Sequence, residues 1–474
     1  MQTLKLIFDT FGSTVFVPAM LFVISLCMRV SVKKAFSSAL MAGVGLTGFT
    51  LVTNGYAGIM APLVSKLVNE TGLVRPVMDM GWQSTATTAY STEVGMLFIG
   101  VGLALQFILF LVGWTDVFMP SDLWNNYSFI IWGSLLYVAT GSMLLAFGCM
   151  ILQNLYVLLF AEVIQKRWST YFGYPGCAMT APHHMANVPI AIALDLLLNL
   201  LGADKVNIRP ESIRKKLGVM GEPMFIGLFV GLLFGVIGNF KSLGTLSAWG
   251  NIAQVGIMTA AVMAIFPRIA SIFAGAFTPL TDASKKAVNT GKKSRNVYLA
   301  VNDALGYGDP AALTSGLLMI PMALILSFIV PGNLVVPMMG LLSFPYLCEV
   351  HVCINNGNIF KTVIAMSIMY SAMLLIASAN APLYTEVAKA AGIQVPETAV
   401  MVTGFIATTI FLNLIFQIFK SKNPIAIAAS VVVYFALYFW YKKNKLAVDE
   451  FLEKNAVAYK TKLAAKEAAL GKAE

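Results

Sequence analysis

Long stretches without a single charged residue decide what this chain can fold into. They run over 10–28, 35–65, 94–115, 123–161, 168–194, 242–267, 311–348, 362–385, 398–419 and 423–441, with a shorter one at 224–240. A helix needs about 20 apolar residues to cross a bilayer core, so most of these runs suffice for one crossing. Two of them, 123–161 and 311–348, are too long for one. Each must hold a second crossing or a re-entrant piece, and Pro331-Gly332-Asn333 is a natural break in the later run. Only 11% of the 474 residues are charged and 58% are hydrophobic. An average soluble domain has about 25% charged residues. That balance excludes a soluble enzyme, and it excludes disorder, which needs low hydrophobicity and high charge. The expectation is an all-α polytopic membrane protein of about 10–12 membrane segments, some of them broken or re-entrant.

The net charge of +10 does not point to nucleic acid, because the bases sit in short clusters between apolar runs. Arg29/Lys33/Lys34, Lys166/Arg167, 205–216, 285–295 and the tail 442–474 carry them. Such clusters mark cytoplasmic loops and attract anionic lipid headgroups. The segment 116–122 has Asp116 and Asp122 but no base, so it is expected outside. The tail reads as a charged helix on or beyond the cytoplasmic surface. The N-terminus reads as a first span rather than a removed signal. Five cysteines without a CxxC read as buried free thiols rather than a disulfide framework.

A weak internal duplication suggests two halves, 1–203 and 224–441, joined by a cytoplasmic loop at 204–223. Gly12-Ser13-Thr14-Val15 is answered by Gly221-Glu222-Pro223-Met224, and Gly43-Val44-Gly45 by Val255-Gly256. Ala61-Pro62-Leu63 is answered by Thr278-Pro279-Leu280, and Gly81-Trp82-Gln83 by Gly306-Tyr307-Gly308-Asp309-Pro310. The order is kept at a near-constant offset. An odd number of crossings per half would make the repeats inverted, as in many transporters.

Polar residues inside apolar runs are costly and mark function. Gly81-Trp82-Gln83-Ser84-Thr85 opens an apolar run after Pro62 with an amide and small hydroxyls, a composition suited to a half-helix N-terminus at a polar ligand. Asp309-Pro310 reads either as an ordinary helix opening or as the matching site in the second half. Pro182-His183-His184 holds two of the three histidines. Adjacent side chains diverge on a helix, so hydrogen bonding to a hydroxylated ligand is favoured over a shared metal. Asp195 is a further boundary acid. Cys348-Glu349-Val350-His351-Val352-Cys353 matches no common zinc spacing, and no metal or cofactor is expected. Thr290-Gly291-Lys292-Lys293-Ser294 lacks the first glycine and the serine placement of a P-loop, so no ATP cassette is present. An ion-coupled transporter using Asp195 or Asp309 is one alternative. An intramembrane enzyme is another, though no HExxH or nucleophile motif supports it.

Taken together, these motifs resemble enzyme IIC, the membrane component of the galactitol branch of the bacterial phosphotransferase system, over nearly the whole length. The resemblance rests on Gly12-Ser13-Thr14-Val15 with Pro18, Gly43-Val44-Gly45, Asp79-Met80-Gly81-Trp82, Asp122-Leu123-Trp124-Asn125 and Ala139-Thr140-Gly141-Ser142. It continues through Pro182-His183, Pro189-Ile190-Ala191 with Asp195, Gly221-Glu222-Pro223, Pro331-Gly332-Asn333 and Gly357-Asn358. It implies a polyol carrier of the inner membrane, two inverted repeats working as an elevator, and a homodimer. It implies a separate phosphocysteine enzyme IIB that phosphorylates the polyol, fed through enzyme IIA and HPr, since no IIA-like or IIB-like segment is recognised here. The chain departs from the family pattern at Gln83, Ser128, His184 and Asp309, so another pentitol or hexitol competes with galactitol. On this reading Gln83, His183 and Asp309 are the leading substrate ligands, followed by Asn125, His184 and Glu222. Glu222, in a cytoplasmic loop, is also a candidate proton acceptor.

Overall fold

The computed structural model describes most of residues 15–470; the main stretches outside it are 1–14, 72–74, 280–295, 396–398, 405–408 and 471–474. The opening glycine motif, most of the first span, the basic cluster 285–295 and its P-loop-like pentapeptide therefore lie outside the described residues.

The first stretch runs α1 (Val32–Thr71), β1 (Val77–Asp79), α2 (Gly81–Ser91), α3 (Glu93–Leu111), β2 (Val117–Phe118), a 3-10 turn (Met119–Asn126), α4 (Tyr127–Thr140), α5 (Met143–Phe172), β3 (Cys177–Met179), α6 (Pro182–Met185) and α7 (Val188–Leu200). The connecting segment holds α8 (Pro210–Leu217). The second stretch runs α9 (Pro223–Gly238), α10 (Leu246–Gly275), β4 (Tyr298–Val301), α11 (Ala304–Tyr307), α12 (Pro310–Ile329), β5 (Val335–Val336), a 3-10 turn (Met339–Ser343), α13 (Phe344–Ile354), α14 (Ile359–Ala390), β6 (Met401–Thr403), α15 (Ile410–Lys420) and α16 (Pro424–Leu470).

Among the described residues six helices are long and apolar enough to cross a membrane: α3, α5, α10, α12, α14 and α16. Shorter apolar helices lie at Tyr127–Thr140, Met224–Gly238, Phe344–Ile354 and Ile410–Lys420. Both overlong runs are broken as expected. Gly141 takes a left-handed φ of 70° between α4 and α5, and Gly332 takes 78° after α12. Glycine reaches such angles without a Cβ penalty. Pro62, by contrast, does not break its run; it lies inside α1, and the break comes after Thr71. The tail is no separate helix either, since α16 continues through it to Leu470.

The strands were not foreseen. They form two three-stranded parallel sheets, ordered β5–β1–β6 and β2–β4–β3. In each, the central strand comes from one stretch of the chain and both flanking strands from the other. Non-helical backbone at membrane depth survives only where protein encloses it. Val77, Val117, Cys177, Ala178, Leu299, Ala300, Val335 and Val402 are accordingly buried. The element order repeats as well: β1, β2 and β3 recur as β4, β5 and β6, with helices of matching kind between them. One of the sequence pairings shifts in this frame. Asp309 caps α12 as Thr92 caps α3, whereas Gly81 follows β1 as Asp303 follows β4.

The segment 116–122 packs against the rest of the protein, with Val117, Met119 and Asp122 buried. The basic part of α16 holds it. Glu162 on α5 accepts from the Thr115 hydroxyl (2.6 Å), from the Asp116 N–H (2.7 Å) and from Lys442 (2.6 Å). Lys445 pairs with Asp116 at 3.2 Å. Trp114 stacks on Tyr438 with ring centres 4.0 Å apart, and Tyr438 donates to the Trp114 carbonyl. Asp116, with no base beside it in sequence, thus finds one on α16, and the contact fixes the entry to β2.

Candidate functional site

The carboxyl ends of β2, β4 and β3 deliver chemistry to one place. Ligands of open parallel sheets sit beyond the carboxyl ends of the strands, and the polar side chains here follow that rule. The turn after β2 presents Asp122 and Asn125, and α4 then presents Ser128. β3 leads through Thr180 into the one-turn helix α6 with His183 and His184. β4 leads to Asp303. All seven are buried.

Asp303 is the hub. Its Oδ2 lies 3.1 Å from His183 Nε2 and 3.2 Å from His184 Nε2. His183 Nδ1 lies 3.1 Å from the Ser128 hydroxyl. An ionised Asp303 only accepts, so each imidazole donates its Nε2–H and keeps Nδ1 as an acceptor. On His183 that acceptor takes the Ser128 O–H. On His184 it takes no partner among the described residues. The two rings are 4.3 Å apart, and the Tyr127 ring lies 6.1 Å from His183. Beside them, Asp122 accepts from both sides: Asn125 Nδ2 donates to its two oxygens at 3.0 Å each, and the Thr180 hydroxyl donates at 3.0 Å.

This corrects the expectation that the adjacent histidines diverge. A helix of one turn does not impose the divergence of a long one, and both rings turn to a single oxygen. The three ligating atoms also lie within 4.8 Å of one another, close enough to share a cation. Their nitrogen–oxygen separations are those of two hydrogen bonds to one carboxylate, so the shared Asp303 oxygen is already taken up by the two imidazoles.

The other residues singled out from sequence are placed as follows. Asn125, His183 and His184 belong to this cluster. Gln83 lies in α2, which follows β1 in the other sheet; its side chain is outside the described ones. Asp309 caps α12, accepting from the N–H groups of Ala311 and Ala312 (2.9 Å each) and from the Tyr171 hydroxyl (3.4 Å). Glu222 is the half-buried N-cap of α9, a helix that packs on α10, α1 and α12. Asp195 is bound to Lys361 and Asn199 in a buried ion pair, so it is no free coupling acid. Cys149, Cys177, Cys348 and Cys353 are buried free thiols, as expected; Cys27 is outside the described residues. Asp303 was missed. Its only sequence signal is an acid two residues after the four-residue apolar strand Tyr298–Val301.

The chain matches a family model described as EIIC-GAT, the sugar-specific permease component of the PTS system, over residues 7–399. It is 29% identical over 382 residues to a putative permease IIC component of Escherichia coli K12, covering 80% of this chain and 86% of that one. It is 25% identical over 394 residues to the galactitol-specific EIIC component of the PTS system of the same strain, covering 82% and 85%. Two broken halves, membrane-length helices and a buried polar junction fit that assignment. The chain belongs to this family of integral, multi-pass inner-membrane proteins, the sugar-specific IIC permeases of the phosphotransferase system.

Proposed function

We propose that the chain carries a polyol, galactitol in the first instance, and that the polyol binds where β2, β3 and β4 end. The observation that carries this reading is Asp303 held by both His183 and His184. The network orients two imidazoles and leaves the His184 Nδ1 acceptor open. An uncharged, many-hydroxyl ligand is matched by neutral imidazoles, amides and carboxylates that both give and take hydrogen bonds. Such a site rejects a ligand that lacks a hydroxyl, because buried partners are then left unpaired. His183, His184 and Asn125 are the ligands proposed here with Asp303. Gln83, Asp309 and Glu222 remain proposed as outer ligands, Glu222 also as proton acceptor near the cytoplasmic face.

Phosphorylation is proposed to come from a separate enzyme IIB, supplied through enzyme IIA and HPr. The recurring element order and the exchanged central strands support two inverted repeats, and with them an elevator motion in a homodimer. The test uses right-side-out vesicles containing the chain, labelled galactitol outside, and the soluble phosphotransferase proteins with phosphoenolpyruvate inside. Labelled phosphate ester that appears inside only when enzyme IIB is present is the expected result. Free galactitol driven by a proton or sodium gradient would overturn the reading in favour of ion coupling.

A further inference from the structure

Glu349 is the polar group least accounted for by the packing. It lies on α13 at 0% exposure, and neither carboxyl oxygen has a hydrogen-bond partner among the described residues. Two residues on, His351 is buried with both ring nitrogens unpartnered. Buried polar groups are otherwise paired in native proteins, and an orphan calls for a reason. Packing does not supply one, since a dry carboxyl could be replaced there by an apolar side chain of similar size at a gain.

Position explains more. Gly306 lies so close that a Cβ added to it would come within 2.2 Å of Glu349 Oε2. Gly306 is in α11, and its N–H donates to the Asp303 carbonyl. α13 packs on α11 and on α6, the helix of His183 and His184. A side chain is thus withheld at position 306 to let the carboxyl approach the element that begins at Asp303. Asn187, directly after α6, adds an unpartnered buried Oδ1.

We propose that Glu349, with His351, is a specificity-determining part of the sugar site, taking hydroxyl groups of the polyol. This rests on the polyol reading above. The chemistry of the orphans selects a hydroxylated ligand over a cation. A neutral imidazole offers one donor and one acceptor, and a carboxylate offers acceptors only. Hydroxyls can satisfy all of these atoms. A metal ion would leave the His351 N–H unpaired.

The test titrates the purified full-length chain with galactitol and its monodeoxy analogues. The wild type is expected to reject at least one deoxy analogue by about tenfold or more. In Glu349→Gln that discrimination should collapse, with galactitol bound roughly tenfold more weakly and the analogue nearly unchanged. Unchanged affinities and rank order in Glu349→Gln would overturn the proposal while leaving the polyol reading intact. A wild type that binds no polyol would overturn both. A second measurement needs no substitution: wild-type protein is treated with dicyclohexylcarbodiimide, which modifies buried carboxyls, and adducts are mapped by mass spectrometry. Galactitol should protect Glu349. An adduct whose yield saturating galactitol does not lower would sink the proposal. So would the absence of any adduct, which contradicts a dry, unpartnered carboxyl.

Discussion

At the end of the first sheet, β5–β1–β6, the carboxylate that closes the central strand is consumed by backbone. Asp79 accepts the N–H of Gly81 at 3.0 Å and the N–H of Gly340 at 2.7 Å. Around it Thr85 bonds to Tyr384 (3.0 Å), and Gly404 fits with no room for a side chain. At the end of the second sheet, β2–β4–β3, the acid after the central strand meets two imidazoles instead. The same architecture thus commits one carboxylate to backbone and the other to two imidazoles, one with an open Nδ1. The first end keeps some unspent polarity of its own, since the buried Thr403 hydroxyl has no partner among the described residues and lines a small cavity with Tyr384 and Gly404. The expectation is that stability leans more on Asp79 and recognition more on Asp303.

The sharpest way to break this division is to exchange the two aspartates for amides. In Asp303→Asn an amide oxygen at the Oδ2 position still takes both Nε2–H groups, but the charge that strengthens both hydrogen bonds is gone. Galactitol binding is expected to fall by roughly a hundredfold, about 2.8 kcal/mol at 1.4 kcal/mol per tenfold, while the protein still folds. Asp79→Asn should do the reverse. It loses one charge-assisted acceptor for backbone N–H groups, about 1.5–3 kcal/mol of stability, with affinity kept in the folded fraction. Binding isotherms and thermal unfolding of both variants in the same detergent decide it. If Asp79→Asn loses affinity at full stability, the comparison fails.

Gly404→Ala probes the first end by volume. The new Cβ would lie 1.7 Å from Thr85 Oγ1 and 2.4 Å from the Tyr384 hydroxyl. Overpacking of this kind costs about 1–3 kcal/mol. A lower unfolding temperature with normal ligand preference is expected. A changed ranking of polyols would place recognition at the first sheet instead.

Lys442→Met tests how the second sheet is held in place. Glu162 keeps Thr115 and the Asp116 N–H but loses its cation. Lys442 is partly exposed, so solvent screens the pair and the loss should stay at about 1 kcal/mol. The readout is stability first and affinity second. The change that would count against the clamp is an unfolding temperature that does not move at all.

Much of this was legible before any coordinates. Charge-free runs located the long helices, because a membrane crossing demands a length no other element needs. That both long runs are broken was legible for the same reason, and Pro331-Gly332-Asn333 marked the place in the later one, while the Gly141 break came only with the structure. Strands of two to four residues, such as Val335–Val336, leave no period to read, and their apolar residues merge into neighbouring helical runs. His183 and His184 stood out as polar residues in an apolar run, but their convergence depends on α6 stopping after one turn. Asp303 follows the basic segment 285–295 closely and looks like an ordinary boundary charge until β4 places it between β2 and β3. Asp309 was legible as a helix opening, and its Oδ1 does cap α12. Glu349 was set aside with its metal-like neighbours, and only its burial without a partner brings it back.

The smallest expected effect lies inside the second sheet and asks what orients the imidazoles. Ser128→Ala removes the hydroxyl that donates to His183 Nδ1 and leaves no large cavity, since the two side chains differ by one oxygen. His183 keeps its Nε2–H bond to Asp303, so the ring stays tethered at one end. Loss of a single neutral hydrogen bond is worth about 1 kcal/mol, which corresponds to roughly a fivefold weaker binding of galactitol with the unfolding temperature nearly unchanged. Affinity identical to the wild type would mean that Asp303 alone orients both rings. A hundredfold loss would mean that the Ser128 hydroxyl touches the polyol itself, and the second end would then reach further toward α4 than Asp303 and the two histidines require.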